Sequence, residues 1–310
     1  MTELAIETYH LRKEYGAKVA VQDLTLQVPR GEVFGFLGPN GAGKSTTVKM
    51  LLDLVKATSG TVKLLGQSPH DPQVRASVGF LPEHFRFHEW LRASEFLRFH
   101  GRLYGLSSAT LNERIPHLLD QVGLADSAQM RLSQFSKGML QRIGLAQAMI
   151  NQPQLIFLDE PTSGLDPLGR RLVRDIIRHL KTRNTTVFLN SHFLSEVEVT
   201  CDRVAFIKGG RVVRVDTMSE LLNQAIEVVL RVDHLQPALQ AELERLGTQL
   251  RVNGSTVIMA IRNQAVIPEL AGLVYQHGAK LYELSPRQKS LEEIFVDVIE
   301  TSVDAYPDHH

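Results

Sequence analysis

The segment Gly38–Ser45 has the spacing G-x-x-x-x-G-K-S, and these residue types could hold the phosphates of a nucleotide. Its glycines let successive backbone N–H groups turn inward around a phosphate, because no Cβ atom stands in the way. A helix that begins there adds the positive end of its dipole. Lys44 could then reach the β- and γ-phosphates, and Ser45 could hold Mg²⁺ beside them. The segment therefore predicts a phosphate-binding loop.

Two acids follow an apolar segment later in the chain, where Leu155–Leu158 leads into Asp159 and Glu160. A strand that ends in Asp places the carboxylate at the carboxyl edge of a sheet, which is where ligands bind in α/β folds. Asp159 could orient Mg²⁺ through the water shell of the ion. Glu160 could act as a general base on an attacking water. This pair predicts the metal-binding and hydrolytic part of a nucleotide site.

A second helix start that could bind an anion lies at Phe135–Arg142. Ser136 is a good N-cap residue and Gly138 leaves the backbone exposed, so N–H groups there could meet a phosphate. Taken alone, the segment is equally compatible with a plain helix cap. Polar residues that could belong to the same site follow in Ser163–Asp166 and at His192.

The elements that must position these residues alternate between strand and helix. Val33–Leu37 is a nearly continuous apolar strand ahead of the glycine loop, and strands and helices then alternate up to about residue 207. This order predicts an α/β fold with a parallel sheet covered on both faces. Helical spacing from about Trp90 to Val122, together with a helix at Met139–Ile150, indicates a helical insert over about residues 90–150.

The pattern changes near Met218, and the segments between Ile226 and Leu284 follow the order βαββαβ. Asn253-Gly254 marks a hairpin between the second and third of these strands, and the whole order is that of a ferredoxin-like unit. An amphipathic helix is expected at Leu291–Ile299. We therefore predict a first domain over residues 1–220, a small α+β domain over residues 221–305 and a tail at residues 306–310.

Over about residues 3–220 these motifs resemble those of the ATP-binding-cassette (ABC) ATPases, in the order of that family. The resemblance implies a P-loop cassette that binds and hydrolyses ATP with Mg²⁺. The matching segments are Gly38–Thr46 for Walker A, Gly79–Glu83 for the Q-loop, Phe135–Met139 for the signature, Leu155–Glu160 for Walker B, Ser163–Asp166 for the D-loop and His192 for the switch histidine.

The resemblance also implies a role for each matching residue. Glu160, His192 and Lys44 would be catalytic, and Ser45, Glu83 and Asp159 would hold Mg²⁺. The nucleotide would be contacted by Tyr15 against adenine, by Gly38, Pro39, Asn40, Gly41, Ala42, Gly43, Lys44, Ser45 and Thr46 of the loop, and by Ser136, Lys137, Gly138 and Asp166. Spacing alone would make Tyr15 an ordinary packing residue.

Two motifs depart from the usual pattern of the family. Its signature is usually LSGGQ, whereas Lys137 and Met139 here replace the first glycine and the glutamine. The serine and the second glycine remain, so the donors to a γ-phosphate are retained. Glu83 stands where the Q-loop has glutamine, and a carboxylate can still bind Mg²⁺. Both variants, and the segment Ser290–Phe295, resemble the single-cassette drug- and lipid-exporter branch.

The resemblance implies two partners. A second cassette, identical or a paralogue, would close head to tail with this one, and that closure would drive a separate integral membrane permease. Phe85, Phe87 and Trp90 either anchor the permease or close the core of the insert. The C-terminal domain could bind a regulator, brace the dimer or tether the permease. The alternative function is that of a soluble ABC ATPase that acts on nucleic acid or ribosomes.

Composition agrees with a globular protein of two domains, with 310 residues of which 43% are hydrophobic. There are 34 Lys+Arg and 34 Asp+Glu, so no nucleic-acid partner is expected. A single cysteine excludes a disulfide framework and a multi-cysteine metal site. Because there is neither a signal peptide nor an apolar run that could span a bilayer, we expect a cytoplasmic protein, held on the inner face of the membrane by its permease.

Overall fold

The computed structural model describes residues 3–85, 87–223, 226–261 and 264–305, and the predicted tail at 306–310 lies outside this range. The chain forms two compact units. The first contains the residues up to Asp216 and those from Val298 onward, and the second contains Thr217–Asp297. In chain order, the second unit therefore stands between two parts of the first.

The first unit is built around a nine-stranded sheet, whose strand order is β4-β1-β2-β9-β8-β3-β7-β6-β5. Its strands are β1 (Leu4–Tyr15), β2 (Lys18–Pro29), β3 (Val33–Leu37), β4 (Ser59–Leu64), β5 (Val78–Leu81), β6 (Leu155–Asp159), β7 (Thr186–Asn190), β8 (Arg203–Lys208) and β9 (Arg211–Thr217). From β8 through β3, β7 and β6 to β5 the pairs are parallel. Every residue of β3, β6 and β7 is buried, as in parallel sheets that helices cover on both faces. The predicted parallel core is confirmed.

At the other side of the sheet, β1, β2 and β4 form antiparallel pairs, which the sequence pattern did not predict. β1 and β2 form a hairpin, and β1 also pairs with β4. The strand-like runs of the sequence cover only Leu4–Glu7 and Leu24–Val28, whereas the observed strand β1 extends to Tyr15 and β2 begins at Lys18. Because many residues in the halves next to the turn are exposed, apolar periodicity could not reveal them. The sheet is therefore mixed and not wholly parallel.

The α-helices are α1 (Lys44–Leu51), α2 (Pro72–Ala76), α3 (Ala93–Leu103), α4 (Ser108–Gln121), α5 (Lys137–Met149), α6 (Pro167–Thr182), α7 (Leu194–Thr200), α8 (Met218–Asn223), α9 (Pro237–Leu246), α10 (Ile267–Gln276) and α11 (Leu291–Ala305). α3 and α4 pack together and bury Phe96, Leu97, Leu111 and Ile115, which confirms the helical insert. Among the described residues, none of the helices has both the length and the apolar character needed to cross a bilayer.

The second unit has a four-stranded sheet with the order β11-β12-β10-β13, in which every pair is antiparallel. Its strands are β10 (Ile226–Val232), β11 (Thr248–Asn253), β12 (Thr256–Ala260) and β13 (Leu281–Gln288). Leu239 and Leu243 of α9 and Leu270 and Val274 of α10 are buried in the core of this unit. The strand order and the two connecting helices are those of a ferredoxin-like fold, as predicted.

Candidate active site

The glycine loop lies between the buried strand β3 and the first residue of α1. Gly43 is the N-cap of α1 and has a φ of +101°. A Cβ atom on Gly43 would lie 2.5 Å from the carbonyl oxygen of Ala20, so only glycine fits at the end of the loop. The first turn of an α-helix such as α1 leaves backbone N–H groups without a partner inside the helix, and such groups can bind a phosphate.

Lys44 folds back over this loop. Its Nζ atom donates hydrogen bonds to two carbonyl oxygens of the loop, the nearer being that of Gly38 at 2.6 Å. Burial lowers the pKa of the Lys44 ammonium, while the nearby carboxylates of Glu160, Asp159 and Glu83 act in the opposite direction. The loop lysine thus interacts electrostatically with the three predicted acids.

Asp159 ends β6 and is buried. Its Oδ1 atom accepts a hydrogen bond of 2.5 Å from Nδ2 of Asn190. Burial raises the pKa of the Asp159 carboxyl, and the Asn190 hydrogen bond and the charge of Lys44 oppose that rise. Asn190 was not predicted as a site residue. It ends the neighbouring strand β7 directly opposite Asp159, and this alignment of two strand ends is the signal that could have identified it.

The backbone of Glu160 is left-handed, with a φ of +52°. Such a conformation costs a non-glycine residue about 1–3 kcal/mol, and it persists where the surrounding structure imposes it. The Glu160 N–H donates to the Asn190 carbonyl at 2.8 Å. The Glu160 carbonyl accepts from Nε2 of Gln141 and from the N–H of Ser163, each at 3.1 Å. These hydrogen bonds hold the backbone where β6 ends.

The Glu160 side chain is buried and faces His192, whose Nδ1 atom lies 2.7 Å from Glu160 Oε2. Burial raises the pKa of the Glu160 carboxyl, while the hydrogen bond and the charge of His192 oppose that rise. The imidazole itself is exposed. A buried carboxylate of raised pKa, oriented by an imidazole, is chemically suited to accept a proton from water.

The signature and the D-loop lie next to each other. Ser136 caps α5, since its Oγ atom accepts from the N–H of Met139 at 3.3 Å. A Cβ atom built on Gly164 would lie 2.7 Å from Cε of Lys137, so the lysine stem packs across that glycine. Asp166 caps α6 by accepting from the N–H of Gly169 at 2.7 Å. Ser136, Lys137 and Asp166 are all exposed.

Three further predicted residues are exposed on the first unit. Tyr15 is the last residue of β1, is 48% exposed, and has Nζ of Lys13 4.8 Å from its ring centroid. Glu83 follows β5, and its Oε1 atom lies 3.9 Å from Nε2 of His84. Ser45 is exposed in the first turn of α1. Contact of these residues with adenine or Mg²⁺ remains a prediction.

The aromatic residues of the insert divide between its core and its surface. The rings of Phe85 and Phe87 lie 4.4 Å apart, and 6.0 and 5.8 Å respectively from the fully buried Phe96. Trp90 is 69% exposed, and its ring lies 5.3 Å from that of His88. Phe85 and Phe87 therefore close the core of the insert, whereas Trp90 remains on its surface.

The mixed sheet, the glycine loop and the buried acids together define a P-loop ATP-binding cassette. The family model for ABC transporters matches residues 21–163. An ABC transporter ATP-binding protein of Synechocystis sp. is 39% identical over 303 residues, which cover 94% of this chain and 83% of that protein. The Nod factor export ATP-binding protein I of Cupriavidus pinatubonensis is 36% identical over 295 residues, which cover 94% of this chain and 89% of that protein.

A solved ATP-binding subunit of an ABC transporter is 32% identical, with a TM-score of 0.66, and the match covers 71% of this chain and 92% of that one. The chain therefore belongs to the ABC transporter family, as an ATP-binding subunit and an ATPase. The predicted family and the resemblance to single-cassette exporter subunits are confirmed.

Proposed function

We propose that this chain hydrolyses ATP to drive a membrane exporter whose transmembrane part is a separate chain, through the closure of two cassettes. The observation that carries the proposal is the pair of Glu160 and His192, with 2.7 Å between Oε2 and Nδ1. The Glu160 carboxylate also acts to raise the pKa of the Lys44 ammonium, against the lowering by burial, which couples the pair electrostatically to the glycine loop.

In the proposed reaction, Lys44 holds the γ-phosphate and offsets its negative charge. Glu160 accepts a proton from a water as the oxygen of that water bonds to the γ-phosphorus. The bond from this phosphorus to the β–γ bridging oxygen breaks, and ADP and phosphate leave. His192 orients the carboxylate and contacts the attacked phosphate. Because Glu160 is buried, a raised pKa gives its carboxylate a stronger tendency to take up that proton.

The residues present suit the Mg²⁺ that this fold implies. Among the described residues, no group of three or more His, Cys, Asp or Glu side chains could hold a metal by itself. The proposed ligands are instead the hydroxyl of Ser45 and the carboxylates of Asp159 and Glu83, which are hard oxygen donors of the kind Mg²⁺ prefers. Asn190 donates a hydrogen bond of 2.5 Å to Oδ1 of Asp159 and so fixes the orientation of that carboxylate. When bound, Mg²⁺ would neutralise charge on the phosphates.

Two cassettes would be needed for one complete site. Lys44 interacts with the acids at the ends of β5 and β6, whereas Lys137 of the signature packs on Gly164. The exposed start of α5, with Ser136 as its cap, is thus suited to meet a phosphate held by another chain. Asp166, at the exposed start of α6, would belong to the same contact surface. The closure of the two cassettes when both nucleotides bind would supply the movement that drives the exporter.

Export is favoured by the similarity to the Nod factor export subunit and by the exposed aromatic surface of the insert. Trp90 is suited to anchor a permease, because exposed aromatic side chains often dominate the binding energy of interfaces. We therefore place the protein on the inner face of the cell membrane, attached through an integral membrane partner.

The substitution Glu160→Gln tests the base. It should lower ATP turnover by about 10²–10⁴-fold, the usual effect of losing a general base, and should trap a dimer with ATP bound. Glu32→Gln is the matched control, because Glu32 is a half-buried acid paired with Arg203 at 3.2 Å outside the site. Turnover that is equal in the two variants would reject Glu160 as the base.

Purification of the intact complex from solubilised membranes tests the transport role. An integral membrane protein should be recovered in fixed ratio with this chain. Recovery of ribosomes or of salt-sensitive nucleic acid in its place would reject the exporter proposal in favour of the soluble alternative.

A further inference from the structure

Gln141 links the signature helix to the proposed catalytic base. It lies on α5, one turn beyond Lys137, and its side chain is partly buried. Its Nε2 atom donates a hydrogen bond of 3.1 Å to the backbone carbonyl of Glu160. A carbonyl oxygen can only accept, so the amide nitrogen, and not the amide oxygen, must face Glu160.

The carbonyl that Gln141 contacts belongs to a backbone position under constraint. Glu160 has a φ of +52°, and the same carbonyl also accepts from the N–H of Ser163 at 3.1 Å. The Ser163 hydrogen bond is local to the loop after β6, whereas the Gln141 hydrogen bond comes from another element. Gln141 is therefore a contact through which a shift of α5 would reach the backbone of Glu160.

We propose that Gln141 is a positioning residue for ATP hydrolysis, whose amide holds the Glu160 backbone so that the carboxylate remains directed at His192. This inference rests on the proposed role of Glu160. The inference also connects the signature with the catalytic base, because Ser136 at the start of the same helix is proposed to contact the nucleotide of the partner cassette. When α5 contacts the nucleotide of the partner cassette, Gln141 would thereby align Glu160 at the nucleotide bound by this chain.

The test compares Gln141→Leu, which removes the donor, with Gln141→Glu, which has the size of glutamine but offers only acceptors when ionised. Misplacing a catalytic group costs up to about 10²-fold in rate, so both variants should lose about 10- to 10²-fold in kcat. The KM for ATP should stay within about two-fold, since ground-state binding is untouched. The Hill coefficient for ATP should fall toward unity.

Asn151→Leu is the matched control. Asn151 is a partly buried amide two residues beyond the end of α5, and its Nδ2 atom donates to the backbone carbonyls of Ala76 and Val78, at 2.9 and 3.0 Å. It makes the same kind of bond to a segment outside the proposed site, so its loss should leave kcat and the Hill coefficient unchanged. If Gln141→Leu and Asn151→Leu behave alike, or if Gln141→Glu retains full kcat, the positioning role is rejected.

A double variant separates this inference from the proposed function. If Gln141 acts through Glu160, adding Gln141→Leu to Glu160→Gln should lower turnover no further, because the effects of groups that act as a unit are not additive. A further loss equal to that of the single variant would show that Gln141 acts elsewhere. If Glu160→Gln alone left turnover intact, the base assignment would fail, whatever Gln141 does.

Discussion

His192 Nδ1 lies 2.7 Å from Glu160 Oε2, and this contact joins an exposed ring to a buried acid. The acid follows β6 and the imidazole follows β7, so the ends of two adjacent parallel strands bring the pair together. The contact opposes the effect of burial on the pKa of the acid, and it also orients the carboxylate.

Replacing His192 by Ala should change the pH dependence of turnover. Burial raises the pKa of Glu160, and His192 opposes this rise, so its removal should raise that pKa further. Because the base acts when ionised, the acidic limb of the kcat profile should move to higher pH. Maximal kcat should also fall, by less than the about 10²–10⁴-fold expected for loss of the base. A lower kcat with an unmoved acidic limb would contradict this account.

Glu160→Gln should raise the thermal stability of the protein at neutral pH. A carboxyl whose pKa is raised by folding contributes stability below its unfolded pKa and loses it as pH rises through the folded pKa. At neutral pH the buried, ionised carboxylate therefore lowers the free energy of unfolding, and the neutral amide of glutamine removes this loss. Melting temperatures of the two proteins should differ at neutral pH and converge in acid. A less stable variant at neutral pH would contradict the raised pKa.

Gly43→Ala and Gly41→Ala should separate a steric clash from backbone strain. Both glycines have positive φ, at +101° and +81°, but only at Gly43 would a Cβ atom meet backbone, 2.5 Å from the Ala20 carbonyl oxygen. Gly41→Ala should cost about 1 kcal/mol in the free energy of unfolding, and Gly43→Ala should cost clearly more. Denaturant unfolding of the two variants checks this order, and equal losses would contradict it.

Trp90→Ala should affect assembly and not the fold. Because Trp90 is 69% exposed, its removal should change the free energy of unfolding by no more than about 0.5 kcal/mol. Phe96→Ala, at a fully buried position of the same insert, should cost about 3–5 kcal/mol. Recovery of the membrane partner should decline with Trp90→Ala, while the ATPase activity of the isolated chain persists. Full recovery of the partner would remove Trp90 from the proposed interface.

Lys289→Met should strongly destabilise the second unit. Lys289 Nζ lies 3.4 Å from Oε1 of the buried Glu227 and 2.9 Å from Oδ2 of Asp297. Removing one partner of a buried ion pair costs about 3–5 kcal/mol, and the more exposed Arg287 should offset only part of that loss. Arg287→Met is the control, since that side chain is more exposed and lies 3.5 Å from Glu227. The double change Glu227→Gln with Lys289→Met should recover stability, and its failure to do so would contradict the assigned pair.

The central elements could be predicted from the sequence because each one carries a local signal. β3 and β6 are continuous apolar runs, as strands buried on both faces must be, and they were expected within a residue of their observed bounds. Ser136 signalled the start of α5 through its capping chemistry. The loop at Gly38–Ser45 could also be predicted from a local signal, because the spacing of its glycines and Lys44 is that of a phosphate-binding loop.

Other features could not be predicted, because they depend on residues far apart in the chain. β9 was missed, since its residues are only partly buried and their charges interrupt the apolar pattern. Asn190 and Gln141 have ordinary residue types, and their roles arise only from their contacts, with Asp159 at the end of β6 and with Glu160 directly after it. The roles of Phe85 and Trp90 were ambiguous in the sequence, because an apolar side chain suits a core and an interface equally.

The division of α11 between the two units makes the ferredoxin-like part an insertion and not an appendage. The chain leaves the first unit after Asp216 and re-enters it at Val298, where Nζ of Lys208 donates to the Ile299 carbonyl at 2.8 Å. A stop codon after Asp216 would therefore also remove the residues from Val298 onward, which belong to the first unit. A deletion that splices Asp216 to Val298 would spare that part, and only such an excision would isolate what the inserted module contributes.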